Sequence, residues 1–259
     1  MKEQKVIYYS DELKNDFAES KIDPIKIDKN YKYEHNIFWR MCAAIVYRGI
    51  FYIPAYLIDR LKYHLKIVNK EVLKQAKDTG YFVYGNHTQE VLDTFIPSHV
   101  TMFRRVYVIA HPDNVSIKGM KTMNKMLGAL PVPGDLESSR NFLDAIKRRV
   151  KKKAVIMVYP EAHVWPFYTK IRNYPSVSFK YPNELDVPAF CITNTYQKRK
   201  NGKVKIVSYV DGPFYADKTL PRKQAQEKLR NEIYETQVER SKNNNVEVIK
   251  YIKKDKEND

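Results

Sequence analysis

The sequence predicts an α/β fold: a single domain with a mixed, largely parallel sheet flanked by helices, preceded by an apolar N-terminal helical segment. Three observations carry that expectation. Short runs of β-branched and aromatic residues alternate with longer helical patterns through the middle of the chain, as strands joined by crossover helices do. At 259 residues and 43% hydrophobic, the chain can bury a sizeable core. No internal repeat or low-complexity linker divides it, so one domain is expected.

Taken in order, residues 1–35 are polar and lysine-rich and lack the apolar core of a signal peptide, so the main body of the chain is expected to stay inside the cell. Residues 37–58, IFWRMCAAIVYRGIFYIPAYLI, form the most apolar stretch. Arg40 and Arg48 interrupt it before any uncharged run approaches the ~18 residues of a spanning helix, and each would cost about 2.5–3.5 kcal/mol at a bilayer centre. Pro54 adds a kink. Eight positions apart, the two arginines fall within about 80° on a helix, leaving Phe38, Trp39, Phe51 and Tyr52 available to lipid. The segment is therefore expected to lie in the membrane interface, with a buried core helix as the alternative.

Strands are expected near 81–84, 105–110, 154–159, 187–192 and 204–210, and helices over 69–77, 88–99, 118–127, 136–150 and 221–239. For the last helix Thr219 serves as N-cap and Pro221 lies in the first turn, with Ala225, Leu229, Ile233 and Val238 along one face. After Ser241 the polar, charged composition predicts a frayed tail. The resulting division is an N-terminal segment 1–68, a catalytic part 69–240 and a tail 241–259.

The balance of 46 Lys and Arg against 30 Asp and Glu gives a net charge of +16. That favours an anionic partner: a membrane surface, an acidic carrier protein or a nucleic acid. No nucleic-acid-binding motif is visible and the 20 tyrosines are scattered through apparent core segments, so nucleic acid is the weakest of the three. Cys42 and Cys191 lack metal-ligand spacing, which argues against a disulfide scaffold or zinc ribbon.

The chemistry concentrates in Gly85-Asn86-His87-Thr88-Gln89-Glu90-Val91-Leu92-Asp93. Tyr81–Tyr84 reads as a buried strand, Gly85-Asn86 as a turn and Thr88 onward as an opening helix, which puts His87 at a strand-to-helix corner. Imidazole titrates near neutrality and is the usual general base, and a neighbouring carboxylate can hold one ring nitrogen protonated. A second β-branched run, Val155–Val158, ends in Tyr159-Pro160-Glu161-Ala162-His163. His35, His64 and His99 have no comparable context and read as structural.

Together these stretches resemble the PlsC-like glycerolipid acyltransferases, the lysophosphatidic acid acyltransferase group. Asn86-His87 with Asp93 is similar to that family's first motif, Leu127-Gly128-Ala129-Leu130-Pro131-Val132 to the second, Tyr159-Pro160-Glu161 to the third and Val187-Pro188 to the fourth. The resemblance covers roughly residues 80–195 and implies a glycerol-3-phosphate acyltransferase-like fold. It implies an O-acyltransferase of phospholipid biosynthesis, peripheral on the cytoplasmic side of the cell membrane. The acyl thioester, from acyl-CoA or acyl carrier protein, is then a substrate and no cofactor is required; the acceptor is a lysolipid.

The motifs depart from the family pattern. Five residues instead of four separate His87 from Asp93. Were both on one helix, they would stand about 240° apart and Glu90 would be the rival partner; a turn before the helix would absorb the extra residue. The third motif reads Ala162-His163-Val164 where the family has Gly-Thr-Arg, and the second lacks its arginine. The resemblance ties those arginines to the acceptor phosphate, and Lys170 and Arg172 are the nearby substitutes.

The expected catalytic pair is His87 and Asp93. Expected substrate-binding residues are Asn86, Glu90, Gly128, Pro160, Glu161, His163, Trp165, Lys170 and Arg172. Glu161 has the alternative of capping a helix or pairing with Lys170; His163, Trp165 and Tyr168 have that of forming core. The run Lys147–Lys153 is either a solvated helix end or a binding surface. Neither Gly-x-Ser-x-Gly nor a cysteine beside a base appears, which argues against a covalent acyl-enzyme. Two other classes are weighed: a metal-dependent hydrolase using His87, Asp93, His111, Asp113, Glu161 and His163, whose spacing matches no tight ligand motif, and a nonenzymatic lipid-surface or nucleic-acid binder.

Overall fold

Seven strands form the central sheet of the computed structural model, which describes residues 4–17, 23–90, 92–101 and 104–254. From one edge to the other they run β2 (Lys66–Val68), β8 (Val204–Phe214), β7 (Ala189–Lys198), β3 (Tyr81–Gly85), β6 (Val155–Val158), β4 (Val106–Ala110) and β5 (Ala129–Pro131). Every neighbouring pair is parallel except the β7–β8 hairpin. The expected mixed, largely parallel sheet is thus what forms. β3 lies at its centre and is buried along its whole length, as a parallel strand covered on both faces must be.

Side chains alternate between two cores. Phe82, Tyr84, Ile156 and Val158 face one layer, packed with Phe142 and Ile146 of α5 (Leu136–Lys151) and Leu229 and Ile233 of α7 (Arg222–Ser241). Tyr81, Val83, Val155 and Met157 face the other, beneath Leu92, Ile96 and Val100. Each such aliphatic or aromatic side chain contributes roughly 1.5–3 kcal/mol through burial. α5 starts at Asp135, whose carboxylate accepts from the Ser138 amide at 2.8 Å, and ends in Arg148, Arg149 and Lys151, favourable at a helix C-terminus.

Several elements differ from expectation. The helix expected over 88–99 is absent as such: an irregular segment follows His87, then a 3-10 turn Leu92–Thr94 and a short α3 (Ile96–Val100). Residues 70–76 form a 3-10 helix, and the helix expected from 118 begins later, as α4 (Lys121–Leu127). A short α6 (Lys180–Leu185) precedes β7. α7 is capped at Pro221, and Thr219 instead bonds the Asp217 carboxylate. The segment read as a frayed tail contains β9 (Ile249–Lys253), paired in parallel with β1 (Lys5–Tyr9). This small sheet supplies Tyr9 and Tyr251 to an aromatic cluster around Trp165, with ring centroids 4.8 and 5.1 Å away.

The apolar segment is a continuous helix of 25 residues, Ile37–Leu61, long and apolar enough to cross a membrane by length and composition. It consists of α1 (Ile37–Ile45), a wider π-helical turn Val46–Phe51 and α2 (Tyr52–Leu61). Ala43, Tyr47, Ala55 and Asp59 are its buried residues. Steps of four residues drift by about 40° each on a regular helix, so this series would spiral off one face by about 160° from first to last. The wide turn takes back part of that drift and keeps both halves against the body. Tyr47 hydrogen-bonds Ser98, and the Asp59 carboxylate meets His99 Nδ1 at 2.6 Å in a fully enclosed pair. Burial raises the Asp59 pKa, with the His99 bond opposing it.

Candidate active site

His87 lies two residues past the end of β3, at the carboxyl end of the parallel strands. Thr88–Glu90 are irregular, and Asp93 Oδ2 lies 2.8 Å from His87 Nδ1. The ring contacts Asp93 and not Glu90 despite the extra residue in the motif. Asp93 is buried against the ring, whereas Glu90 is exposed.

The carboxylate is fixed by more than the histidine. Oδ2 also accepts from the backbone amides of Thr88 and Gln89, each at 2.9 Å, and Asn194 Nδ2 lies 3.4 Å from Oδ1. An unprotonated Nδ1 would set two lone pairs against each other, so the network selects the tautomer with the proton on Nδ1. Nε2 then carries the free lone pair and has no partner among the described residues, while the side chain remains 19% exposed. Tyr159 stacks beneath the imidazole, centroids 4.3 Å apart and planes at 19°, and its hydroxyl donates to the Asp93 carbonyl. Burial, then the Asp93 charge, pushes the Tyr159 phenol well above its ordinary pKa, so it stays a donor. Gly85 makes this stacking possible: a Cβ there would come within 2.8 Å of the Tyr159 ring.

Asn86 tethers the strand end. Its amide donates to the Asn194 carbonyl at 3.0 Å and its oxygen accepts from the Asn194 amide at 2.8 Å, joining β3 to β7. Tyr196 bonds Gln89 and Thr88. Asn194 and Tyr196 escaped the reading of the sequence, and Tyr159 was read only as the start of the third motif, although polar Thr193-Asn194-Thr195 within a buried strand is a signal of an internal hydrogen-bond network.

Glu161 joins the third motif loop to the first. Buried to 1% exposure, it accepts from the His87 amide (3.1 Å), the Arg172 amide (3.1 Å) and the Arg172 guanidinium (2.9 Å). Its partner is therefore Arg172, not Lys170. The Arg172 side chain is fully enclosed, donates to the Glu12 and His163 carbonyls and lies over the Trp165 ring. Its enclosure, with both terminal nitrogens bonded inside the protein, removes it as a surface receptor for phosphate. Backbone bonds from Trp165 to the His87 carbonyl and from Phe167 to the Thr88 carbonyl, both 3.0 Å, complete the lacing of the two loops.

The other expected binding residues divide plainly. Trp165 is completely buried and donates to the Asn15 carbonyl, so with Tyr168 it belongs to the aromatic cluster and not to an open pocket. His163 meets Asp16 at 3.1 Å. Gly128 ends α4 at φ +109°, where a Cβ would strike the Val106 carbonyl at 2.6 Å; its geometry answers a packing demand. Pro160 lies in the turn beside Glu161, and Lys170 is exposed. Ala162 stands where the resembled motif has glycine and takes φ +64°, a left-handed conformation costly for a residue with a Cβ.

The six side chains weighed as metal ligands do not converge. His111 pairs with Asp113 and His163 with Asp16, and among the described residues no three His, Cys, Asp or Glu side chains are grouped to hold an ion. Cys191 is fully buried and burial pushes its thiol well above its ordinary pKa, so it is no nucleophile.

A family model described as Acyltransferase matches residues 64–216. Among solved structures, the 1-acyl-sn-glycerophosphate (LPA) acyltransferase PlsC from Thermotoga maritima is similar in fold. The TM-score is 0.50 at 14% identity, over 80% of this chain and 94% of that one. No curated protein sequence matches the chain.

Proposed function

The chain belongs to the acyltransferase family, and from that premise we propose that it moves a fatty acyl group from a thioester to the hydroxyl of a lysophospholipid or related lipid. The observation that carries the reading is the His87–Asp93 contact, with a carboxylate held by two amides and Nε2 left open. In this mechanism Nε2 takes the acceptor hydroxyl proton as the oxygen attacks the thioester carbonyl carbon. The tetrahedral intermediate collapses, the C–S bond breaks and the departing thiolate recovers the proton from the imidazolium. Asp93 keeps the ring oriented and stabilises its charged form; such general-base help is typically worth 10²–10⁴-fold. The donor is acyl-CoA or acyl carrier protein, each of which brings anionic groups to a chain of charge +16.

Membrane attachment is proposed to be peripheral, on the cytoplasmic side, through the Ile37–Leu61 helix. Its buried residues Tyr47 and Asp59 are bonded to Ser98 and His99, so the helix lies along the body and does not project from it. Phe38, Met41 and Ile45 point an apolar face outward, at 73, 59 and 64% exposure. That arrangement lets a lipid acceptor approach without leaving the bilayer.

Incubating the protein with a radiolabelled acyl donor and a panel of lysolipids, then identifying the product, tests the reading. A labelled diacyl lipid is expected. Release of free fatty acid with no acylated lipid, under donor and acceptor excess, would instead make the protein a thioester hydrolase.

A further inference from the structure

A cavity of about 380 Å³ opens between α1, the C-terminal end of α5 and the β4–β5 edge of the sheet; Ala129 and Leu130 of the second motif line it, and no residue of the first or third motif does. Its wall includes Arg105, just before β4, and Lys152, just before β6. It therefore lies toward the amino ends of the parallel strands, whereas His87 lies at their carboxyl ends.

The cavity is strongly cationic. Eight of its lining residues are lysine or arginine and one, Glu34, is acidic. Glu34 is already shared by Arg149 at 2.7 Å and Arg148 at 3.5 Å. Arg105 lies over the Tyr47 and Tyr107 rings, Lys125 over Tyr31, and Arg105 Nη1 and Arg149 Nε are buried without an acceptor among the described residues. This concentration of positive charge acts on its neighbours. His35, stacked on Trp39 in the same wall, has its pKa lowered by burial and then by Lys125 and Arg149. Lys125 is itself lowered, by burial and then by Lys121. A bound anion would relieve this repulsion.

The surroundings define which anion. Ile37 and Met41 line the cavity and are also 66 and 59% exposed, and with Ile45 they form a stripe at four-residue spacing along α1. A phosphate seated in the cavity would thus have apolar surface beside it, where acyl chains can lie. We propose that this cavity is a headgroup site for an anionic phospholipid of the membrane, separate from the acceptor that reacts at His87. The proposal rests on the peripheral attachment proposed above and makes it specific: anionic lipid is held in one cavity and not by diffuse surface charge.

The test is flotation of the full chain with vesicles of phosphatidylcholine alone and of phosphatidylcholine containing phosphatidic acid. Two charge-matched variants are compared: Arg40→Glu/Lys152→Glu in the cavity wall, and Lys200→Glu/Lys203→Glu in the distant β7–β8 hairpin. All four side chains are exposed, so both variants should fold. The cavity variant is expected to lose roughly tenfold or more of its partitioning onto the anionic vesicles, and the hairpin variant to keep most of it. Equal losses would show diffuse attraction and overturn the site, as would no loss in either. Titration with coenzyme A, followed by tryptophan fluorescence, covers the other source of phosphate. A saturable change abolished by the cavity variant, alongside unchanged flotation, would assign the cavity to the donor and overturn the lipid reading. Flotation needs no turnover, so failure here and failure of acyl transfer are read separately.

Discussion

Replacing Glu161 with Ala should damage the fold before it damages chemistry. Glu161 and Arg172 form an ion pair with both side chains at 0% exposure, and the carboxylate is also the acceptor for two backbone amides, those of His87 and Arg172. Removing it leaves an enclosed guanidinium whose Nε already lacks an acceptor. Breaking a buried pair in this way costs about 3–5 kcal/mol, set against a total stability of roughly 5–15 kcal/mol for a domain. At about 2–4 °C per kcal/mol for a chain of this size, the melting temperature should fall by ~6–20 °C. The double variant Glu161→Ala/Arg172→Met should recover part of that loss, because the uncompensated charge is gone. Thermal melts followed by circular dichroism measure both. Wild-type melting in Glu161→Ala, with only KM raised, would refute the structural role and return Glu161 to the substrate. A double variant worse than the sum of the singles would refute the charge argument.

Three further outcomes follow from the same geometry. Asp93→Asn should lower kcat by about 10²-fold or more, because the amide no longer imposes the tautomer, while Glu90→Gln stays near wild type; the reverse order in steady-state assays would make Glu90 the orienting group. Ala162→Gly should raise stability by roughly 0.5–1 kcal/mol, since release of left-handed strain exceeds the added chain entropy of glycine and the exposed Cβ has little packing to lose; a lower melting temperature would contradict this. Changing Phe38 and Ile45 together to Ser should weaken flotation with vesicles of either composition, and high salt should weaken only the anionic component. Retention of the wild-type protein through carbonate extraction would instead indicate a spanning helix.

The central sheet was legible because its strands are buried on both faces and read as unbroken apolar runs, as at Tyr81–Tyr84 and Val155–Val158. What escaped the reading depends on partners distant in sequence. β9 carries Lys250 and Lys253 among its apolar residues, and a composition-based reading takes such a segment for solvent; only its pairing with β1, at the other end of the chain, makes it a strand. Within the site, His87 and Asp93 were legible as a motif, but Thr88–Glu90 are irregular where a helix was expected. The Asp93 carboxylate claims the Thr88 and Gln89 amides that a helix start would have left free. Arg172 read as a phosphate ligand because a sequence shows its charge and not its enclosure. Arg148, Arg149 and Lys152 come from a run that reads either as a solvated helix end or as a binding surface, and only the fold shows that they share one cavity wall with α1.

The central claim is that His87 Nε2 accepts the proton of the acceptor hydroxyl, and the most direct measurement is acyl transfer by His87→Ala alongside its thermal melt. The His87 ring is part-exposed and its stacking on Tyr159 is a modest contact, so the variant should melt close to wild type. Acyl transfer from a thioester to the accepted lysolipid should fall by about 10²–10⁴-fold. A variant that is folded and turns over near the wild-type rate would contradict the mechanism.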